Sequence, residues 1–474
     1  MNMKRLLLAA VFGAMTAFPP ADMGFSAERQ GAFPRIELPP VSKEVLKNGV
    51  RLIYVRDELP QVYLSASVDF GSLHEKKQTA GLSELTAKTL SLSGSAKYPG
   101  SSLYRKVESM GGRLSVASSW ESTVISIRVL KRFKNEAFDI LADLVANPAF
   151  TREHFERAKE LTSESIRRKY DNPAGIAFEK AREILFDGDG YGSAPTEEKI
   201  KGYTLDDIKA AWKRYYTAGN IIVGVTTSID YDEVRELADK GFSGWRRGEK
   251  TGYSINSKHL IEALTGKSGN IYLFEKDVPQ ATIVMGTLAP PVQYSGNYAL
   301  NVMNYVLGGG SFNSWLMSEV RVKRGLAYSV QSVLRARQKT GVFLAFAQTK
   351  NKSVNEVLGI MKASARKMSD KGVSGNELAW ARRSIDNSYV FRFDTPRNIL
   401  NNYMNIEYYG LPVDYYRDYL KHINMVTAAD IRRESGKLFN QGMVTVVVGK
   451  SELAESLKDF GRVVVMNSKG PVKK

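Results

Sequence analysis

The chain carries four histidines (His74, His154, His259 and His422) and no cysteine, so the side chains best suited to bind a transition metal are scarce. Without thiols there can be no disulfide, thiolate zinc site, iron–sulfur ligation, cysteine nucleophile or lipid-modified N-terminal cysteine. A helix brings two imidazoles to one ion when they stand at i and i+4. Neither His74 nor His154 has a ligand partner at that spacing, and both read as surface or packing residues. Two other groups stand out. Glu84 precedes Lys88 by one helical turn, an order worth about 0.2–0.5 kcal/mol when exposed, and the two are expected to pair. Gly308, Gly309 and Gly310 stand in succession. Such a run permits positive φ and close approach of backbone to a ligand, or simply ends a helix in a turn.

The elements that must position these residues come as an internal repeat. Thr204 to Ile208 opens a helix leading to Tyr216, and a turn at Gly219 opens the strand Ile221 to Val225. Thr427 to Ile431, Phe439, Gly442 and Val444 to Val448 repeat that order, 223 positions later (427 − 204 = 223). The same offset relates Asp171-Asn172-Pro173 to Asp394-Thr395-Pro396, where each proline can open a helix. Leu59-Pro60-Gln61 matches Val278-Pro279-Gln280 at an offset of 219, so a small length change lies between.

In the first half, Asn48 to Val55 and Gln61 to Phe70 alternate as half-buried strands do. Leu82 to Leu92 and Ser102 to Met110 read as helices, Arg113 to Ala117 and Thr123 to Leu130 as strands, and Phe133 to Ala146 and Arg152 to Lys169 as helices. Hairpin-like strands with grouped helices imply an α+β sandwich in each half. The boundaries expected are 43–247 for the first domain, 248–269 for a polar linker and 270–465 for the second domain.

With 474 residues, the chain is too long for one ordinary core. Hydrophobic residues make up 43% and charged residues 25%, which excludes overall disorder, a collagen-like repeat or a polytopic membrane protein. The net charge of +17 favours acidic partners. Basic residues nevertheless alternate with acids along stretches such as Glu153 to Lys169 and form no nucleic-acid motif, so a solvated face is expected and no nucleic acid. Lys4 and Arg5, the apolar run Leu6 to Phe18 and the break at Pro19-Pro20 read as a signal peptide over residues 1–27. The expectation is export to a periplasm, with no stable membrane span.

Two segments then come into focus: Gly71 to Glu75 followed by Gly81 to Leu90, and Leu307 to Ser311 followed by Ser314 to Leu316 and Glu319 to Tyr328. Together they resemble the pitrilysin/insulinase family of zinc metallopeptidases, in particular its short bacterial and mitochondrial-processing-peptidase branch, over roughly residues 43 to 465. The resemblance implies two homologous α/β-sandwich domains, a processing-peptidase-like metallohydrolase fold, forming a clamshell around an extended peptide. Active members carry H-x-x-E-H on the first-half helix, two imidazoles for zinc and a glutamate as base, with a further glutamate on a later helix. This chain has Glu84, Ala87 and Lys88 at those positions, and Ser165 beside Glu164 at about the downstream ligand position. Both histidines and the base are absent, and an ammonium stands where a dication should sit.

The family's second-half motif is intact, its arginine and tyrosine matching Arg321 and Tyr328. The resemblance implies that they reach substrate near the scissile bond: a guanidinium can hold peptide carbonyls and a tyrosine hydroxyl can donate to a developing oxyanion. It also gives Gly308, Gly309 and Gly310 a substrate-facing role. The expectation is a non-zinc subunit of an exported heterodimeric metallopeptidase, holding no cofactor itself. Zinc would sit in a homologous H-x-x-E-H partner, and peptides would be the substrates. The alternative is a catalytically inactive peptide-binding or assembly protein of the same fold.

Overall fold

The computed structural model describes residues 39–253, 255–467 and 470–471. The expected signal segment lies outside them. In the first half, β1 (Val41–Val45), β2 (Arg51–Arg56) and β3 (Gln61–Val68) lead to α1 (Leu82–Ser93) and α2 (Ser101–Ser109). Strands β4 (Arg113–Ser118) and β5 (Thr123–Leu130) precede α3 (Lys134–Ala146), α4 (Arg152–Lys169), α5 (Pro173–Leu185), α6 (Glu197–Gly202) and α7 (Leu205–Tyr215). The half closes with β6 (Ile221–Thr227) and α8 (Tyr231–Phe242).

After α9 (Ser257–Lys267), the second half runs β7 (Ile271–Glu275), β8 (Gln280–Ala289), α10 (Asn297–Asn304), β9 (Ala327–Arg335) and β10 (Gly341–Lys350). Helices α11 (Val354–Lys371), α12 (Gly375–Tyr389), α13 (Pro396–Tyr409), α14 (Tyr419–Met425) and α15 (Ala428–Asn440) follow. Then come β11 (Val444–Gly449), α16 (Leu453–Ser456), β12 (Val463–Asn467) and β13 (Gly470–Pro471).

Each half is an α/β sandwich on its own sheet, and the strand order β2-β6-β3-β5-β4 recurs as β7-β11-β8-β10-β9. The pairs β2/β6 and β7/β11 are parallel in both copies. The repeated sequence signals produce repeated local structure. Thr204 and Thr427 each cap a helix in a reciprocal box with Asp207 and Asp430. Asn172 and Thr395 cap α5 and α13, with Pro173 and Pro396 in the first turn.

Strands β6 and β11 are buried along their whole length, so both faces need cover. One face packs on helices of its own half; the other takes a helix from the opposite half. Helix α5 lays Ile176, Ala181 and Leu185 against Val284, Val446 and neighbours on β8 and β11. Reciprocally, α13 lays Ile399, Leu400 and Met404 on Ile53 and Ile222 of β2 and β6. A Cβ at Gly224 would lie 2.5 Å from Met404 Sδ, so glycine lets α13 come this close to β6. Each fully buried aliphatic side chain contributes about 1.5–3 kcal/mol, and the exchange cannot be undone without exposing them all.

The stretch 248–269, expected as an aperiodic linker, contains the helix α9. Only Leu260 and Leu264 of that helix are buried, too few to leave an apolar stripe in the sequence, while Asn256 supplies its cap.

Candidate functional site

The first-half corner is built on α1. A buried carboxylate, Glu75, holds its entry: Oε1 accepts from Ser83 N (2.8 Å) and Ser83 Oγ (2.7 Å), and Oε2 from Gly81 N (2.9 Å) and Ser193 Oγ (2.7 Å). These contacts satisfy backbone donors at the helix start and place a negative charge at the positive end of its dipole. Along the helix, Glu84 and Lys88 are exposed and Ala87 is buried.

The expected Glu84–Lys88 ion pair is not formed: no contact within 4.0 Å joins them. Desolvation by surrounding protein raises the Glu84 pKa, opposed first by Lys169 and more weakly by Lys88. Lys169 itself is bonded to the buried Glu179. Side-chain entropy and competing charges outweigh a few tenths of a kcal/mol. Ser165 is exposed on α4, and Glu164 pairs with Arg168 at 3.3 Å. An amine, a methyl group and a hydroxyl do not fit a zinc ion, and among the described residues no group of three or more His, Cys, Asp or Glu could hold a metal.

The second-half corner differs. Where α1 runs unbroken, α10 passes into a π-helical turn (Tyr305–Gly309), a short loop and a second π-helical turn (Met317–Val322) that carries Arg321. In the second turn Lys323 N–H reaches back five residues to Ser318 O, a bulge of the kind that often marks functional sites. Tyr328 stands on β9, the edge strand of its sheet, and is 79% exposed. The Arg321 guanidinium carbon lies 4.6 Å from the Tyr328 ring centroid and 5.0 Å from that of Phe312. The neighbouring acid, Glu319, is taken by Lys323 and Arg324, which hold its carboxyl below the usual range. Among the described residues Arg321 has no acidic partner within 4.0 Å and no side-chain hydrogen bond.

The glycine run has a packing explanation at two of its three positions. A Cβ at Gly308 would meet Ser332 N at 2.5 Å, and one at Gly310 would meet Trp380 at 2.5 Å and Tyr305 O at 2.6 Å. Only Gly309 is exposed. The positive φ expected of these glycines falls instead on Ser311, at 57°.

A polar seam joins the halves. Consecutive tyrosines of α13 reach two buried carboxylates of the first half: Tyr408 Oη donates to Asp69 Oδ1 (2.9 Å) and Tyr409 Oη to Glu121 Oε2 (2.6 Å). Glu121 also accepts from Tyr191 Oη (2.6 Å), Gln338 N (3.0 Å) and Arg337 (3.3 Å). Asp69 is less well served. Its Oδ2 has no hydrogen-bond partner, His74 Nε2 stands 3.6 Å from Oδ1, and Lys250 is 4.0 Å away. Burial pushes the Asp69 carboxyl up to about 6, against the Tyr408 hydrogen bond, and pushes the His74 imidazole down to about 4. His74 is thus a packing residue, with Tyr253 and Tyr215 edge-on at 5.0 and 5.3 Å. His154 borders the α4 cap at Thr151, His259 faces Asp187 at 3.5 Å, and His422 stacks on Tyr298.

The structure therefore brings Arg321 and Tyr328 together, with the glycine run at the base of the same loop. It does not bring them to Glu84, Ala87, Lys88 or Ser165: among the described residues no hydrogen bond, ion pair or ring contact joins the two corners. Phe312 and the two seam carboxylates carry no motif, while Glu75 closes the Gly71–Glu75 segment of the resemblance but was given no role. Phe312, two residues after the glycines and between two quoted segments, also had a position that could have drawn notice. Among the described residues no helix is long and apolar enough to cross a membrane.

Comparison with known proteins agrees with this geometry. The insulinase (peptidase family M16) family model matches residues 51–196, and the model described as peptidase M16 inactive domain matches residues 202–385. An uncharacterized zinc protease of Rickettsia felis is 23% identical over 416 residues, 86% of this chain and 97% of that protein. A Helicobacter pylori protein named non-peptidase homolog YmxG is 24% identical over 393 residues, 82% of this chain and 89% of that one. A crystal structure of a peptidase M16 inactive domain from Pseudomonas fluorescens superimposes with a TM-score of 0.78 at 22% identity, covering 87% of this chain and 98% of that chain. With a duplicated fold matched in both halves and a first-half corner that cannot hold the family's metal, the chain belongs to the insulinase (M16) peptidase family as a peptidase-like member with a degenerate zinc motif.

Proposed function

We propose that this chain is the non-zinc subunit of an exported heterodimeric metallopeptidase, lending Arg321 and Tyr328 to a peptide cut at the zinc of a homologous partner. The observation that carries the reading is the state of Arg321, which among the described residues has no acidic partner and stands beside an exposed tyrosine on an open sheet edge. A structural arginine would be expected to pair, and Arg324, three residues on, does so. An unpaired fork can take a peptide carbonyl through charge-assisted bonds, and the exposed Tyr328 hydroxyl can donate to an oxygen that gains charge in the transition state. Gly309 offers exposed backbone at the same ledge. At the motif positions Glu84, Ala87, Lys88 and Ser165 supply neither the histidines nor the base, so this chain would hold and polarise substrate while the partner performs hydrolysis. Export to a periplasm rests on the N-terminal segment, and partnership on the retention of Arg321 and Tyr328 beside a first half whose zinc positions are Glu84, Ala87 and Lys88.

A second reading, a peptide-binding or assembly protein without hydrolysis, is favoured by the name non-peptidase homolog borne by the Helicobacter pylori relative. The two separate on purification. The tagged chain recovered from the exported fraction of its own cells should bring with it a homologous chain bearing H-x-x-E-H and about one zinc per pair. Recovery without such a chain supports the second reading, and tightly held zinc on this chain alone defeats both.

A further inference from the structure

The ledge contains an aromatic residue that the Arg/Tyr motif does not call for. Phe312 leaves 57% of its surface exposed, although a phenylalanine normally packs inward. It is not a loose tip. Gly308 and Gly310 anchor the loop's base against Ser332 and Trp380. Ser311 takes a left-handed conformation that a non-glycine residue rarely adopts, and its carbonyl accepts from both Ser314 N (3.1 Å) and Ser314 Oγ (2.7 Å). The outcome of that strained turn is a phenyl ring 5.0 Å from the Arg321 guanidinium carbon.

The corresponding loop of the first half is tied down differently. Ala96 N bonds to Asn147 O, Ala149 N to Gly94 O, and Lys97 N to Asp143, so it is fastened to the end of α3, and its one ring, Tyr98, is half-buried against the first-half core. The second-half loop is fastened at its two ends, by the packing of Gly308 and Gly310 and by Trp315 Nε1 donating to Glu377 (2.6 Å), and between them Phe312 reaches Arg321.

We propose that Phe312 is a positioning residue for Arg321: with Tyr328 it holds the guanidinium by its face, so that the N–H edge stays free for the carbonyl of an extended peptide. This rests on the substrate role of Arg321 and adds to it. An arginine side chain loses much rotamer freedom when it binds, and prior stacking removes part of that cost. Leucine in place of Phe312 would fill similar space without the attraction of a ring for a cation, whereas tyrosine would keep it.

The test is binding of fluorescein-labelled β-casein, an unfolded polypeptide, to the full chain by anisotropy, with thermal unfolding checked for each variant. Phe312→Ala should weaken binding about two- to five-fold, the size of an exposed cation–π contact. Phe312→Tyr should restore it and Phe312→Leu should not. In the double variant with Arg321→Ala, binding should be no weaker than with Arg321→Ala alone, since Phe312 acts only through the guanidinium. Wild-type affinity in Phe312→Ala, rescue by leucine, or losses that multiply in the double variant would each overturn the positioning role. If Arg321→Ala itself binds as wild type, or the wild-type chain binds no casein, the underlying substrate reading fails instead.

Discussion

Two corners of this molecule descend from one repeated plan and have reached opposite states. In the first half, α1 is regular, its entry is fastened by the buried Glu75, and its following loop is bonded to the end of α3. In the second half, α10 starts at Gly296 without a side-chain cap, breaks into two π-helical turns, and releases a loop that carries Phe312 to Arg321. The first corner is where the family keeps its metal, and here its chemistry is gone while its architecture is intact. At the second, irregular backbone, an unpaired cation and exposed rings persist. Core packing calls for none of these, so the second corner is where function should be sought.

The largest expected effect sharpens the first corner. Glu75→Ala leaves several buried donors at the start of α1 unsatisfied, at about 1–3 kcal/mol for a buried polar group, and should lower stability by about 3 kcal/mol or more in urea titration. A loss under about 1 kcal/mol would mean that α1 needs no such fastening.

The seam that joins the halves comes next. Asp69, raised to about 6, is protonated in the fold at pH values where the unfolded chain is ionised, so its contribution weakens the protein as pH rises from about 4 to about 6. His74, lowered to about 4, does the reverse: between about 4 and 6.5 only the unfolded chain binds its proton, so its contribution strengthens the protein as pH rises. Each is on the order of 3 kcal/mol and the two nearly cancel. Relative to wild type, Asp69→Asn should therefore lose stability on going from pH 7 to pH 4.5, and His74→Gln should gain it. Unfolding curves with the same slope in both variants would remove the pair from the account.

Smaller effects belong to the second corner. Gly310→Ala forces a Cβ onto Trp380 and should cost about 1–3 kcal/mol in thermal unfolding. Gly309→Ala, which meets chiefly the Asn304 side chain, should cost less. Equal costs would mean that the loop's base is not the rigid part. The smallest effect tests whether the first corner can be revived. With Glu84→His, Ala87→Glu and Lys88→His combined, metal analysis should find no stoichiometric zinc, because Ser165 gives no carboxylate and Glu164 is engaged by Arg168. About one zinc per chain would show that the site was lost by three substitutions alone.

The repeat was legible because caps and prolines are local: Thr204 and Thr427 read the same way whether or not the chain is folded. Arg321 and Tyr328 were singled out by the family resemblance alone, and the fold sets them side by side. The helix exchange was not, since α5 and α13 carry ordinary amphipathic patterns that do not say which sheet they cover. Nor was the seam, where Asp69 meets Tyr408 and Glu121 meets Tyr409 across nearly 300 residues or more. Glu84 and Lys88 mark the limit of pairwise spacing rules: their order favours pairing, yet the surroundings of the folded helix decided otherwise.

The most direct test of the central claim is the steady-state rate of peptide cleavage by this chain mixed with the proposed zinc-bearing partner, comparing wild type with Tyr328→Phe at an unchanged elution position. Only a hydroxyl is removed, so folding and pairing should persist while kcat falls, by as much as about 10²–10³ for one oxyanion donor and less if the donor acts across a mobile gap. Cleavage at the wild-type rate would remove Tyr328 from the chemistry and leave the second-half corner as scaffold.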